Sequence, residues 1–181
     1  MGNSGRQYGA WYPAHPLGDG PFACRARSAV DCAPVLLAAA ACALLSSAEI
    51  SAVQGEKPVR SKASSSDADG LSVERCFFEM PTFPKSISLE VTRGTRVREL
   101  WKRSFHQEGE REREEEEEEQ PPPQRVRGLG EEAFWVGDPR LGGLYVLRKD
   151  AMLRLAVGGA EGMADKLRKL KPLARKALSR L

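Results

Sequence analysis

The sequence predicts an α+β domain in which an antiparallel sheet carries amphipathic helices packed on one face. Two periodicities point to it. Ser86–Arg93 alternates, with Ile87, Leu89 and Val91 on one side and Ser88, Glu90 and Thr92 on the other, the period of a strand wet on one face. Val97, Leu100, Trp101, Ser104 and Phe105 recur every three or four residues, the stripe of a helix. At 181 residues and 41% hydrophobic composition, the chain is long and apolar enough for one domain with segments to spare. Residues 1–41 read as an N-terminal extension and signal-like segment. Residues 42–181 read as the domain, with a flexible loop near 56–70 and an acidic arm near 108–124.

The longest apolar run is Ala33–Leu45. It falls short of the ~20 residues that cross a bilayer, and Pro34 lies inside it. Arg25 and Arg27 precede it and small residues fill Ala38–Ala41, the composition of a secretory signal. The expectation is export to the periplasm or the exterior; the rival is a buried Ala-rich helix. Residues 1–24 are rich in Gly, Pro and aromatics without periodicity, which suits either a disordered extension or a translation start further downstream. Met1-Gly2 is no myristoylation start, because Arg6 stands where Ser or Thr is required.

Ser46 is placed as the N-cap of a short helix. Its hydroxyl accepts from the Glu49 N–H and the Glu49 carboxylate reaches back, with Leu45 and Ile50 as a hydrophobic staple and Gly55 as the left-handed stop. Glu56–Gly70, with its Ser and Asp, has little to bury and reads as a loop. Leu71–Met80 reads as a strand with Cys76, Phe78 and Met80 on one face. The helix from Thr95 makes Trp101 a core residue and His106 a surface one. Beyond it, Glu108–Glu119 repels itself at i, i+4 and suits a solvated arm that Pro121–Pro123 ends. Strands follow at Ala133–Val136, Leu144–Leu147 and Met152–Val157, the last two joined by a turn at Arg148–Asp150. A final helix spans about Gly162–Leu181, with Pro172 expected to kink or restart it.

Chemistry is sparse. The net charge of +3 argues for no nucleic-acid partner. The four cysteines, Cys24, Cys32, Cys42 and Cys76, form no C-x-x-C, and His15 and His106 are the only histidines, so no metal site is expected. Gly128-Leu-Gly-Glu-Glu-Ala133 superficially fits a dinucleotide loop. Polar Pro-Pro-Pro-Gln-Arg-Val-Arg precedes it and an aromatic strand follows, so the glycines read as a turn and no cofactor is expected. With no G-x-S-x-G, H-E-x-x-H or P-loop, no catalytic residue is assigned.

Cys42-Ala-Leu-Leu-Ser-Ser-Ala-Glu-Ile50 with Gly55, Cys76, and Gly128-Leu-Gly-Glu-Glu-Ala-Phe134 resemble a family of small bacterial secreted or lipoprotein domains of unknown function. Members open with C-x-L-L-[ST]-x-x-E-[IV] and carry G-[LVI]-G-[DE]-x-A-[FYW]. The resemblance covers roughly 42–181 and implies a Cys42–Cys76 disulfide. Free thiols and lipidation at Cys42 are the alternatives, although the Leu usual three residues before a lipidated Cys is absent. The resemblance implies no activity. On the last helix, Lys166, Lys169, Arg175, Lys176 and Arg180 are candidate contacts for an anionic membrane surface or an acidic partner, against the plainer reading of a solvated face. The expected role is a non-catalytic binding or structural module of the cell envelope, with an envelope protein or an anionic membrane as partner.

Overall fold

A computed structural model describes residues 40–106, 121–138 and 141–181. Most of the signal-like run and nearly all of the acidic arm lie outside the described residues. The elements, in order, are α1 (Ala40–Ala43), α2 (Ser47–Gln54), β1 (Arg60–Ala68), β2 (Leu71–Glu79), a 3-10 turn (Phe83–Lys85), β3 (Ile87–Arg93), α3 (Val97–Phe105), β4 (Gln124–Arg125), β5 (Glu132–Val136), β6 (Gly143–Arg148), β7 (Ala151–Val157) and α4 (Met163–Ser179). The seven strands form one open sheet in the order β1-β2-β3-β7-β6-β5-β4, every described pair antiparallel. The fold is α+β. Among the described residues no helix is long and apolar enough to cross a membrane.

The first helix start is built as its residues dictate. The Glu49 N–H donates to Ser46 Oγ at 3.2 Å and the Ser46 N–H donates to Glu49 Oε2 at 2.9 Å. Gly55 closes α2 at φ 77°, its N–H donating to the Ser51 carbonyl. Leu45 and Ile50, the staple pair, are buried in the same core.

One sheet face carries the main core. Ile87, Leu89 and Val91 of β3 pair with Val157, Leu155 and Leu153 of β7, and β6 adds Leu144 and Val146. Over them lie Ala41, Leu44 and Leu45 around α1, Ile50 of α2, and Leu170, Leu173 and Ala177 of α4. Thus Ala41, Leu44 and Leu45, in the tail of the run read as a signal, belong to the core. Helix α4 runs through Pro172 without a break or restart. Pro172 is exposed, so water can serve the carbonyl that the missing N–H leaves unpaired.

Helices α1, α2 and α4 share the expected face. Helix α3 takes the other one, where Val97 and Trp101 pack on Phe134, Leu147 and Met152. The cause is in the strands: β5, β6 and β7 carry adjacent rather than alternate apolar residues, so both faces at that end need cover.

The loop expected near 56–70 is corrected. Its Arg60–Ala68 portion is β1, exposed along its length and paired from Arg60↔Glu79 to Ala68↔Leu71. Two residues, Asp69 at φ 53° and Gly70 at φ 74°, make the turn. Positive φ at both positions is the hairpin turn that matches strand twist, and Asp-Gly is its favoured sequence. Backbone pairing and this turn hold a strand that buries almost nothing. The acidic arm's C-terminal end is also corrected: Gln124–Arg125 forms β4, pairing with Trp135 and Phe134 of β5.

Candidate functional site

Cys42 of α1 and Cys76 of β2 are joined as a disulfide, with Cα atoms 5.1 Å apart. Cys76 is buried on the core face of β2, so the bond fastens the N-terminal helix to the sheet at the edge of the core.

The basic helix differs from its sequence reading. Lys166 is fully buried, at 0% exposure, and is no surface contact. It lies four and seven residues before Leu170 and Leu173, on the core stripe of α4, a spacing visible in the sequence. Burial pushes its ammonium below the usual lysine range, against the pull of Glu161 and Asp138. Lys169 pairs with Glu161 at 2.7 Å. Arg180 turns back onto Glu49 and the Leu44 carbonyl. Arg175 and Lys176 remain exposed, so the five candidates do not form one surface.

The sequence reading missed a cleft of about 640 Å³ between α3 and the start of β5. Trp101 and Leu147, both buried in the second core cluster, back it, and Arg98, Lys102, Arg103, His106, Glu131 and Glu132 line it. The helix supplies these residues in register. Arg98, Lys102 and His106 recur every four residues, so they follow one side of α3 beside the stripe of buried Val97 and Trp101 and half-buried Phe105. The aromatic support is continuous: Trp101 meets Phe105 at 4.2 Å between ring centroids, and Phe105 stacks on Phe134 at 5.1 Å.

Both carboxylates of the cleft are engaged. Glu132 Oε2 accepts from Trp101 Nε1 at 2.8 Å and meets His106 Nε2 at 2.7 Å, while Arg125 lies 3.5 Å from Oε1. The Trp101 indole N–H and then His106 hold the Glu132 carboxyl below the usual carboxylate range, against the opposing effect of burial. An ionised Glu132 can only accept, so His106 Nε2 carries a proton toward it. Glu131 accepts from the Lys149 N–H at 2.6 Å and from Arg98 Nη2 at 2.8 and 3.1 Å, which holds it low as well.

The Gly128–Gly130 motif is a turn. Gly128 and Gly130 sit at φ 83° and 53°, and the Glu131 N–H then donates to the Leu147 carbonyl at 2.8 Å as β5 begins. A Cβ on Gly130 would strike that same carbonyl. The motif thus sets Glu131 and Glu132 into the cleft wall. Among the described residues no three His, Cys, Asp or Glu side chains gather as metal ligands.

Fold and site together define a disulfide-fastened α+β module with a basic-walled cleft on its second sheet face. No protein-family model matches the chain, and no curated protein matches it. Among solved structures it is similar to a GTP binding regulator from Thermotoga maritima, with 14% identity over 74% of this chain and 87% of that one, at a TM-score of 0.40. A likeness of that degree lends this chain no function.

Proposed function

We propose that this protein is an exported, non-catalytic binding module of the cell envelope, akin to the bacterial secreted domains that its Cys42–Ile50 segment resembles. The observation that carries this reading is the Cys42–Cys76 bond. Disulfides persist in oxidising compartments and are reduced in the cytosol, and small exported domains use them to supplement modest cores. The same bond speaks against lipidation, which would consume the Cys42 sulfur. Ala41 is fully buried, so a leader peptidase cut must fall before it to leave the core intact.

The binding surface is the cleft under α3. Its residues favour holding a molecule over transforming one. Glu131 and Glu132 are committed to internal donors, and among the described residues the cleft wall offers no Ser, Thr or Cys to serve as a nucleophile beside His106. Its volume lies within the ~300–1,000 Å³ range of small-molecule sites.

Intact mass of the protein recovered from its native source tests the reading. The expected mass lacks an N-terminal leader ending before Ala41 and lacks two hydrogens for the disulfide. A full-length mass with all thiols free would refute export, and an added acyl mass on Cys42 would replace the disulfide with an anchor.

A further inference from the structure

The two ends of the sheet are built differently. At one end lie the polar turns Asp69-Gly70 and Lys149-Asp150 and the connection 94–96, and Leu129 beside them is buried. At the other end three connections carry exposed apolar tips. Val59 before β1 is 61% exposed, Phe83 between β2 and β3 69%, and Leu141 between β5 and β6 84%. A lone exposed apolar side chain says nothing, but these are the exposed large hydrophobics of the described residues, and all share one end. Each tip is braced outward. The Val59 N–H donates to the Glu79 carbonyl at 2.8 Å, and the Leu141 N–H to Asp138 Oδ1 at 2.9 Å. On either side of Phe83, the Thr82 N–H donates to Glu56 Oε1 at 3.0 Å and Gln54 Nε2 to the Lys85 carbonyl at 2.6 Å. Phe83 rests its ring on Phe77 at 6.3 Å and still faces water. Around Val59 and Phe83 stand Lys57, Arg60, Lys62 and Lys85, against the carboxylates of Glu56 and Glu79 alone. Lys57 is exposed with no ion-pair partner among the described residues, and Lys85 meets Glu56 only at 3.6 Å.

Going beyond the cleft, and resting on the envelope reading only for a bilayer to be at hand, we propose that this end of the sheet seats the protein on an anionic membrane surface. Val59, Phe83 and Leu141 enter the boundary between headgroups and acyl chains, and Lys57 and Lys85 meet the lipid phosphates. The spacing selects a bilayer over a protein groove. Strands β1 and β6 lie four steps apart in the sheet, roughly 20 Å, so the tips are separate points rather than one contiguous patch. A flat surface receives all of them at once. An aromatic ring with lysine beside it suits the interface, because the ring enters while the ammonium stays at headgroup level.

The test records amide NMR spectra of the full chain with bicelles of phosphatidylcholine, alone or mixed with phosphatidylglycerol, each doped with a spin-labelled lipid. We expect the label to broaden the amides of Val59, Phe83 and Leu141 and to spare those of Asp69, Gly94 and Lys149. Affinity should be roughly tenfold higher for the anionic bicelles. The variant Val59→Ser/Phe83→Ser/Leu141→Ser changes exposed side chains only and should weaken binding by roughly tenfold or more at an unchanged thermal midpoint. Absence of binding, binding unaltered in the triple variant, or broadening centred on Asp69, Gly94 and Lys149 or on Arg175 and Lys176 would overturn this surface. Equal affinity for the neutral bicelles would overturn the anionic lipid class. Shifts at the three tips on concentrating the protein without lipid would overturn the proposal by giving this end to a second copy of the chain. Each of these failures leaves the export reading standing, because intact mass decides that separately.

Discussion

Arg180, the residue that ends α4, grips Glu49 in the first turn of α2 across a sequence separation of 131. Its Nη1 and Nη2 reach the two carboxylate oxygens at 2.8 and 2.7 Å. The same Nη1 reaches the Leu44 carbonyl at 2.6 Å. The two ends of the described fold are thereby tied by a charge-assisted pair that also serves the capping box of α2.

This pair gives stability a definite acid dependence. Arg180, then the Ser46 N–H, hold the Glu49 carboxyl at about 2, against an ordinary 4.5. A folded-state value below the unfolded one means that the contribution is complete above 4.5 and fades as pH falls toward 2. Arg180→Met should lower the urea midpoint at pH 7. The gap from wild type should narrow steadily between pH 4.5 and 2, as read by urea unfolding across pH.

The Cys42–Cys76 bond closes a separation of 34 residues. Cys42→Ala/Cys76→Ala should cost about 3–4 kcal/mol in the chain-entropy model. Reductant should lower the denaturant midpoint of the wild type and leave that of the double variant unmoved.

Lys149 turns the β6–β7 hairpin at φ 52°, a left-handed conformation that costs a side-chain-bearing residue. Lys149→Gly keeps the N–H that Glu131 accepts and should stabilise by about 0.5–1 kcal/mol, the relief at φ less the added freedom of the unfolded chain. Chemical denaturation of the two proteins measures it.

Gly128 and Gly130 separate two costs of a methyl group. Both sit at positive φ, but a Cβ at Gly128 meets nothing within 4 Å, whereas one at Gly130 strikes the Leu147 carbonyl and Val146. Gly128→Ala should cost about 1 kcal/mol. Gly130→Ala should cost clearly more, about 3 kcal/mol, because backbone must move. Paired thermal unfolding curves decide it.

Much of this fold was legible because local chemistry and tertiary packing agree. Ser46, Glu49 and Gly55 fix α2 by hydrogen bonds within ten residues, and the alternation of Ile87, Leu89 and Val91 survives because one face of β3 is buried. Strand β1 was hidden because nothing in Arg60–Ala68 is buried. Its one signal, Asp69-Gly70, becomes a turn only with Leu71–Glu79 folded back as a partner. Lys166 was misplaced by its charge, although its spacing from Leu170 and Leu173 puts it on the buried stripe. The cleft was half legible. The repeat Arg98, Lys102, His106 is in the sequence, but its meeting with Glu131 and Glu132 needs the pairing of β5 with β6 and the seat of α3 on the second sheet face.

Thiol trapping in intact cells tests the central claim most directly. Cells that make the full chain are quenched in acid, alkylated, reduced and alkylated again with a heavier reagent, and Cys42 and Cys76 are read by peptide mass. The account predicts that both cysteines carry only the second label. Both carrying the first label, in protein extracted from the reducing cytosol, would contradict it.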